Sequence, residues 1–349
     1  MRCRTEVLAA HSGGSFATAV SRAVAALRAG DVVALPTETV YGLAANACDE
    51  RAVARIFSVK GRPANNPIIV HVTGTEMARQ CVSAWTDPAQ RLAEAFWPGP
   101  LTIVLPKAPT IPDIVTAGGP TVGVRCPRHP LIQAVMLECG FPLAAPSANR
   151  STALSPTRAE HVCKSFDGLI PLILDGGPTP VGIESTVLDL TRSPPRVLRP
   201  GIVHHEALSA VLGPVEWAIQ TASQTGEGRP RGAPPRSPGQ LARHYAPQAP
   251  LVVLAWNDEA DLRSQIEQMQ WTAGATHVIA HTTPPGSAGF HGVSVIPRQP
   301  EACARALYAE LHRCDEQGAA GIVVEAVPEG APWDGIADRL RRASARPGF

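Results

Sequence analysis

Lysine is almost missing from this chain: Lys60, Lys107 and Lys164 stand against 28 arginines. A genomic composition bias accounts for the imbalance, and it gives each retained lysine some weight, because a compact ammonium and a guanidinium fork act differently on phosphates. Net charge is nearly absent too. At +1 over 349 residues no global field draws the protein onto nucleic acid or an anionic membrane, although a local basic groove is left open. The eight cysteines form no C-x-x-C pair and no regular framework, which speaks against a disulfide scaffold or a zinc array. No stretch approaches ~18 uninterrupted apolar residues, and the opening "MRCRTEVLAAHSGG" has no long apolar core. These absences lead to the expectation of a reduced, cytoplasmic protein with no membrane association. Two nucleotide signatures are also lacking, G-x-x-x-x-G-K-[ST] and a G-x-G-x-x-G following a strand. A nucleotide, if held, is held by another construction.

What is present is a chain of 44% hydrophobic and 17% charged residues, long enough for two domains. Helical periodicity over 17–30 is followed by a buried strand at 31–37. A second helix, 49–61, is capped by Asp49 and leads to a strand at 67–72. Further strands are expected at 101–106, 121–126, 142–147, 171–175 and 185–190, with helices near 87–97, 129–139 and 157–166. This alternation predicts a twisted open α/β sheet over residues 1–212. Residues 213–249 are rich in Pro and Gly and read as a linker or a long functional loop. From 250 to 349 strands at 251–256, 276–281 and 321–327 alternate with helices at 258–271, 300–317 and 333–344. They predict a smaller three-layer, Rossmann-like α/β domain. No internal repeat links the halves. The adjacent His204 and His205 read as a solvated helix start rather than metal ligands.

Polar groups gather where strands end. "LPTETVYGLAA" puts Thr37, Glu38, Thr39 and Tyr41 after a buried strand, and "VKGRPANNPIIVHV" sets Lys60, Arg62, Asn65 and Asn66 before another. Arg125 ends "TVGVRCP". Ser147, Asn149 and Ser155 lie in "AAPSANRSTALSP", Glu184, Ser185 and Thr186 in "GIESTVLDL", and Arg199 in "RVLRPG". In open α/β sheets ligands collect in the crevice where such loops converge. Each residue alone has a structural reading: Thr39 or Ser147 as a cap, His71 as a core histidine, Arg125 and Arg199 as ion-pair partners. Together they point to a site for a polyanion, since buried polar groups are costly without partners.

In order along the chain, "PTETVYGL", "KGRPANNPIIVHV", "GPLTIVL", "TVGVRCP", "APSAN", "ESTVLD" and "LRPG" closely resemble the YrdC-type threonylcarbamoyl-AMP synthases, over roughly residues 14 to 205. "SPGQLARHYAP" (237–247) and the second α/β region resemble the long, two-domain form of that family. The resemblance implies that L-threonine, bicarbonate and ATP, with Mg²⁺ carried mainly by the ATP phosphates, give threonylcarbamoyl-AMP and pyrophosphate. A downstream tRNA threonylcarbamoyl transferase then modifies the adenosine beside the anticodon, and a weak tRNA contact by the present chain is left open. Carried over by motif position, Thr39, His71, Arg125, Ala145 and Ser185 contact threonine. Arg62, Asn66, Thr121, Ser147, Ser155, Arg199 and Tyr245 contact ATP, and Lys60 with Arg62 forms the catalytic cation pair. One departure lies before "RHYAP", where the family has a basic and an aromatic residue and this chain has Gln240, Leu241 and Ala242. Closure of 237–247 over the nucleotide would then be weaker, or would use Arg243 and His244 instead. Two rivals stand beside this reading: a carbamoyl-adenylate-forming transferase, which lacks its expected C-x-x-C array here, and an RNA-binding α/β module, which the near-neutral charge disfavours.

Overall fold

The computed structural model describes residues 4–10, 13–217 and 244–344. The chain divides into two compact units. One takes in residues 1–151, 155–180 and 184–240, the other 152–154, 181–183 and 241–349.

The first unit begins with β1 (Glu6–Ala9), α1 (Gly13–Arg28), β2 (Val33–Leu35), β3 (Gly42–Asn46), α2 (Glu50–Lys60) and β4 (Val70–His71). It continues through α3 (Thr75–Cys81), α4 (Asp87–Phe96), β5 (Leu101–Pro106), α5 (Asp113–Thr116), β6 (Thr121–Arg125), α6 (Pro130–Cys139) and β7 (Leu143–Ala144). It closes with α7 (Ala159–Phe166), β8 (Leu172–Asp175), β9 (Thr186–Asp189), β10 (Arg196–Arg199), α8 (His205–Leu212) and β11 (Glu216–Trp217). The eleven strands form one mixed sheet in the order β1-β8-β2-β3-β7-β4-β6-β5-β9-β10-β11.

Both faces of this sheet are buried. Along β2, Val33 and Leu35 pack on one side with Val20 and Leu27 of α1 and Ile132 of α6. Val32 and Ala34 turn to the other side, with Val53 and Ile56 of α2. A two-residue side-chain period with apolar residues at every position is what a doubly covered strand requires. Fully burying one such aliphatic side chain contributes about 1.5–3 kcal/mol.

The helix α2 delivers the loop of interest, and its ends are well specified. Asp49 accepts hydrogen bonds from the amides of Arg51 and Ala52, at 2.9 and 3.3 Å. Gly61 ends the helix in the left-handed region (φ 62°), a conformation glycine adopts without a Cβ penalty. The expected helix 49–61 therefore keeps its cap and its stop. The strands expected at 67–72 and 142–147 shorten to Val70–His71 and Leu143–Ala144. Six elements escaped the hydrophobic pattern, β1, β3, α3, α5, β10 and β11, and of α8 only the start was anticipated. The strand β3 reads GLAAN, small residues with no β preference, and it is held by antiparallel pairing to β2 and β7. His204 caps α8 and His205 opens it, as expected of a helix start.

The second unit has β12 (Leu251–Leu254), α9 (Glu259–Gln268), β13 (Thr276–Ala280), β14 (Gly292–Val295), α10 (Pro300–Glu316), β15 (Gly321–Glu325) and α11 (Asp334–Ala343). Its four strands are all parallel, in the order β12-β15-β13-β14. The expected Rossmann-like layering is met, with β14 an additional edge strand. Most of the expected linker 213–249 lies outside the described residues.

Candidate active site

Four of the sequence motifs meet where β4, β6 and β7 end. His71 and Arg125 are register partners on β4 and β6. Thr37, in the turn that follows β2, fixes the loop beside them. Its Oγ1 donates to Val40 O at 2.7 Å, accepts from the amides of Thr39 and Val40, and lies 2.8 Å from Thr39 Oγ1. This rigid turn presents Glu38, whose Oε1 lies 2.9 Å from Arg125 Nη2. Arg125 Nε also donates to Gly99 O at 3.3 Å. Three buried side-chain atoms here have no hydrogen-bond partner: Glu38 Oε1, His71 Nδ1 and Arg125 Nη2. The Glu38–Arg125 pair is thus close in charge but misaligned as a hydrogen bond. Burial first, and then the Arg125 cation, push the His71 imidazolium down to about 3, so the ring is neutral.

Lys60 is also buried, at the last turn of α2. Its Nζ donates to the backbone oxygens of Ser147 and Asn149, each at 2.5 Å. The amide of Ser151 returns a bond to Lys60 O at 3.2 Å. Burial, followed by the neighbouring Arg62 cation, holds the Lys60 ammonium well below its ordinary range. The expected catalytic pair therefore separates by task. Lys60 ties down the "APSAN" loop, whereas Arg62 braces its own turn, donating to Asn66 O at 3.0 Å and Pro67 O at 2.6 Å. Asn66 is buried in that same turn.

A second group assembles at the start of β9. Ser185 Oγ lies 2.8 Å from Thr102 Oγ1, and Arg199 donates from Nε and Nη2 to Ser185 O at 3.1 and 3.0 Å and from Nη2 to Ser185 Oγ at 3.1 Å. Ser155 Oγ hydrogen-bonds Glu184 Oε1. Thr121 and Thr102 line a small recess beside Ile69 and Gly123. Ala145 is buried, and its amide bonds to Ile69 O at 3.1 Å. Thr39 and Arg125 are joined through Glu38's turn, Ser147 to Lys60, and Ser185 to Arg199. The residues expected to contact threonine and those expected to contact ATP thus meet at Ser185 and Arg199.

Tyr245 belongs to the second unit. It is buried at φ 60°, with Arg339 5.3 Å above its ring, Tyr308 at 6.1 Å and His244 edge-on at 4.0 Å. A tyrosine in the left-handed region is uncommon and marks a constrained position. The remainder of the expected lid, 237–243, lies outside the described residues.

Known proteins resemble this chain in both sequence and structure. The family model described as "Telomere recombination" (Sua5_yciO_yrdC) matches residues 25–201. The model described as "Threonylcarbamoyl-AMP synthase, C-terminal domain" matches residues 203–345. A threonylcarbamoyl-AMP synthase of Pyrococcus abyssi is 39% identical over 318 residues, 91% of this chain and 92% of the relative. One from Bacillus subtilis is 40% identical over 331 residues, 93% of this chain and 92% of the relative. The crystal structure of P. abyssi Sua5 complexed with L-threonine superposes with a TM-score of 0.86 at 36% identity, covering 97% of each chain. The chain belongs to the threonylcarbamoyl-AMP synthase family. It has the long, two-domain form and is an ATP-using enzyme of the nucleotidyltransferase kind.

For a threonylcarbamoyl-AMP synthase, two features of the site carried little signal in the sequence. Thr102 is a single hydroxyl inside the apolar run LTIVLP, and only that polarity sets it apart. Glu38 and Glu184 stand among the polar residues at strand ends, but their partners, Arg125 and Ser155, are distant along the chain. Among the described residues no helix is long and apolar enough to cross a membrane.

Proposed function

We propose that this site joins L-threonine, bicarbonate-derived CO₂ and ATP into threonylcarbamoyl-AMP, releasing pyrophosphate. The observation that supports the reading at residue level is the register pairing of His71 and Arg125 on adjacent strands, with His71 Nδ1 and Arg125 Nη2 both buried and without an aligned hydrogen bond. A buried polar atom without a partner costs roughly 1–3 kcal/mol, a cost that an incoming substrate group offsets. Arg125 offers its guanidinium to the threonine carboxylate. Neutral His71 accepts a hydrogen bond from the substrate hydroxyl or amine, and Thr39, Ala145 and Ser185 complete the pocket.

The threonine amine, in its neutral form, adds to CO₂ and gives up a proton to solvent. The resulting carbamate oxygen attacks the α-phosphorus of ATP. A new oxygen–phosphorus bond forms, the bond to the bridging oxygen breaks, and pyrophosphate leaves with that electron pair. The nucleophile is already anionic, so the site's task is alignment and stabilisation of phosphate charge rather than strong base catalysis. Arg62 and Arg199 are held by backbone oxygens and can meet phosphate without reorganising. Asn66, Thr121, Ser147 and Ser155 supply uncharged contacts, and Lys60 sets the height of Ser147 by gripping its carbonyl.

The donors fit a magnesium ion carried chiefly by ATP. They are hard oxygens, the hydroxyls of Thr121, Ser147 and Ser155, with Glu184 a single buried carboxylate beside Ser155. When bound, Mg²⁺ supplies neutralisation of the triphosphate. The product, a labile mixed anhydride, calls for a transferase that passes the threonylcarbamoyl group to a tRNA adenosine. The test is pyrophosphate release by the full chain with ATP, L-threonine and bicarbonate. Omitting threonine or bicarbonate should abolish release, and release that persists without threonine would contradict the assignment.

A further inference from the structure

Glu38 takes no part in the contacts assigned so far, yet it is only 4% exposed and lies against the cation of the amino-acid pocket. Its two oxygens do different things. Oε2 accepts from the Arg128 amide at 3.0 Å, which fixes the carboxylate to the backbone beyond β6. Oε1 stands 2.9 Å from Arg125 Nη2 without hydrogen-bond alignment. The Nη2–H bonds are therefore not aligned with Glu38 Oε1. Arg125 is also held at Nε, which donates to Gly99 O at 3.3 Å.

The charge balance follows from these positions. Before substrate arrives, the guanidinium and the Glu38 carboxylate cancel, and the adjacent His71 is neutral. A buried ion pair that forgoes its hydrogen bond is a poor stabilising device, because desolvation of both charges is not fully offset. As a tuning device it makes sense. An unneutralised arginine in a dry pocket attracts phosphate chains at least as strongly as a carboxylate, and both ATP and pyrophosphate are present at this site. A guanidinium already half-compensated, with donors still open, suits a single negative charge.

We propose that Glu38 is a specificity-determining residue, whose fixed carboxylate restrains Arg125 so that the pocket admits the lone carboxylate of an amino acid and rejects phosphate chains. The proposal rests on the reading of Arg125 as the partner of the threonine carboxylate.

Inorganic pyrophosphate is the probe, used with the full chain. In Glu38→Gln, pyrophosphate should compete with threonine at roughly tenfold lower concentration than in the unsubstituted protein, the value of about one charge-assisted hydrogen bond. Its competition with ATP should stay the same. If Glu38 merely braced its loop, the variant would raise the threonine KM and leave the pyrophosphate constants alone; that result would overturn the proposal. Glu38→Asp keeps the charge with a shorter reach. It should still reject pyrophosphate even where turnover falls, and an Asp variant as permissive as the Gln variant would also count against the idea. If the Gln variant does not turn over, calorimetric titration should show threonine-displaceable pyrophosphate binding roughly tenfold tighter than in the unsubstituted chain, and equal affinity would refute it. Threonine-dependent pyrophosphate release by the unsubstituted chain is measured first. Its absence would strike the proposed reaction, whereas normal release with an unchanged pyrophosphate response in Glu38→Gln strikes only the role of Glu38.

Discussion

Lys60 Nζ donates to Ser147 O at 2.5 Å, so the one lysine of the phosphate-type motif is engaged by the backbone of a different motif. Residues far apart in the chain are joined by a buried ammonium, and the loop bearing Ser147 inherits its position from the end of α2. Lys60→Met removes the ammonium and leaves the oxygens of Ser147 and Asn149 short of a donor. Turnover should fall by about 10²-fold, the scale of a lost electrostatic contact of about 3 kcal/mol. The melting temperature should also drop, because buried carbonyls lose their partner. A variant with reduced turnover but unchanged melting would return Lys60 to a direct phosphate role.

Arg125→Lys keeps the charge and loses the planar fork. Threonine affinity should weaken by at least tenfold, the scale of one charge-assisted hydrogen bond of about 1.5–3 kcal/mol, while ATP affinity changes little. Calorimetric titration of each ligand separates the two, and equal losses would contradict the division of the site.

Ser185 lies where the two substrate sets meet, bonded to Thr102 and to Arg199. Ser185→Ala should therefore raise the KM for threonine and for ATP together, each by several-fold, consistent with about 1 kcal/mol per lost hydrogen bond. A change confined to one substrate, seen in steady-state kinetics, would place Ser185 on that side alone.

Neutral, buried His71 has a consequence for stability. With its imidazolium pushed down to about 3, the folded chain resists protonation there while the unfolded chain takes up a proton below about 6.5. His71 therefore has no effect on stability above that pH, and below it stability declines by up to about 1.4 kcal/mol per pH unit until pH approaches 3. Urea unfolding at pH 7 and pH 5 should show a smaller loss in His71→Asn than in the unsubstituted protein. An equal loss would mean that other groups dominate.

Much of the fold was legible because its helices and long strands carry strong patterns. Asp49 and Gly61 mark the ends of α2, and LTIVLP reads as a buried strand at first sight. The weak points have a physical cause: β3 is made of small residues that need β2 and β7 to hold them extended, and β11 is two residues long at a sheet edge. At the site, residue types and motif order were legible, but pairings were not. That Lys60 reaches Ser147, that Glu38 faces Arg125 and that Arg199 returns to Ser185 depend on strand order β7-β4-β6-β5-β9-β10, which no local pattern encodes.

The most direct measurement is product analysis by mass spectrometry after incubating the full chain with ATP, L-threonine and ¹³C-bicarbonate. The account predicts a threonylcarbamoyl-AMP ion heavier by one mass unit than with ordinary bicarbonate, formed in step with pyrophosphate and lost in Arg125→Lys at limiting threonine. AMP and pyrophosphate without any ¹³C-containing adenylate would contradict it.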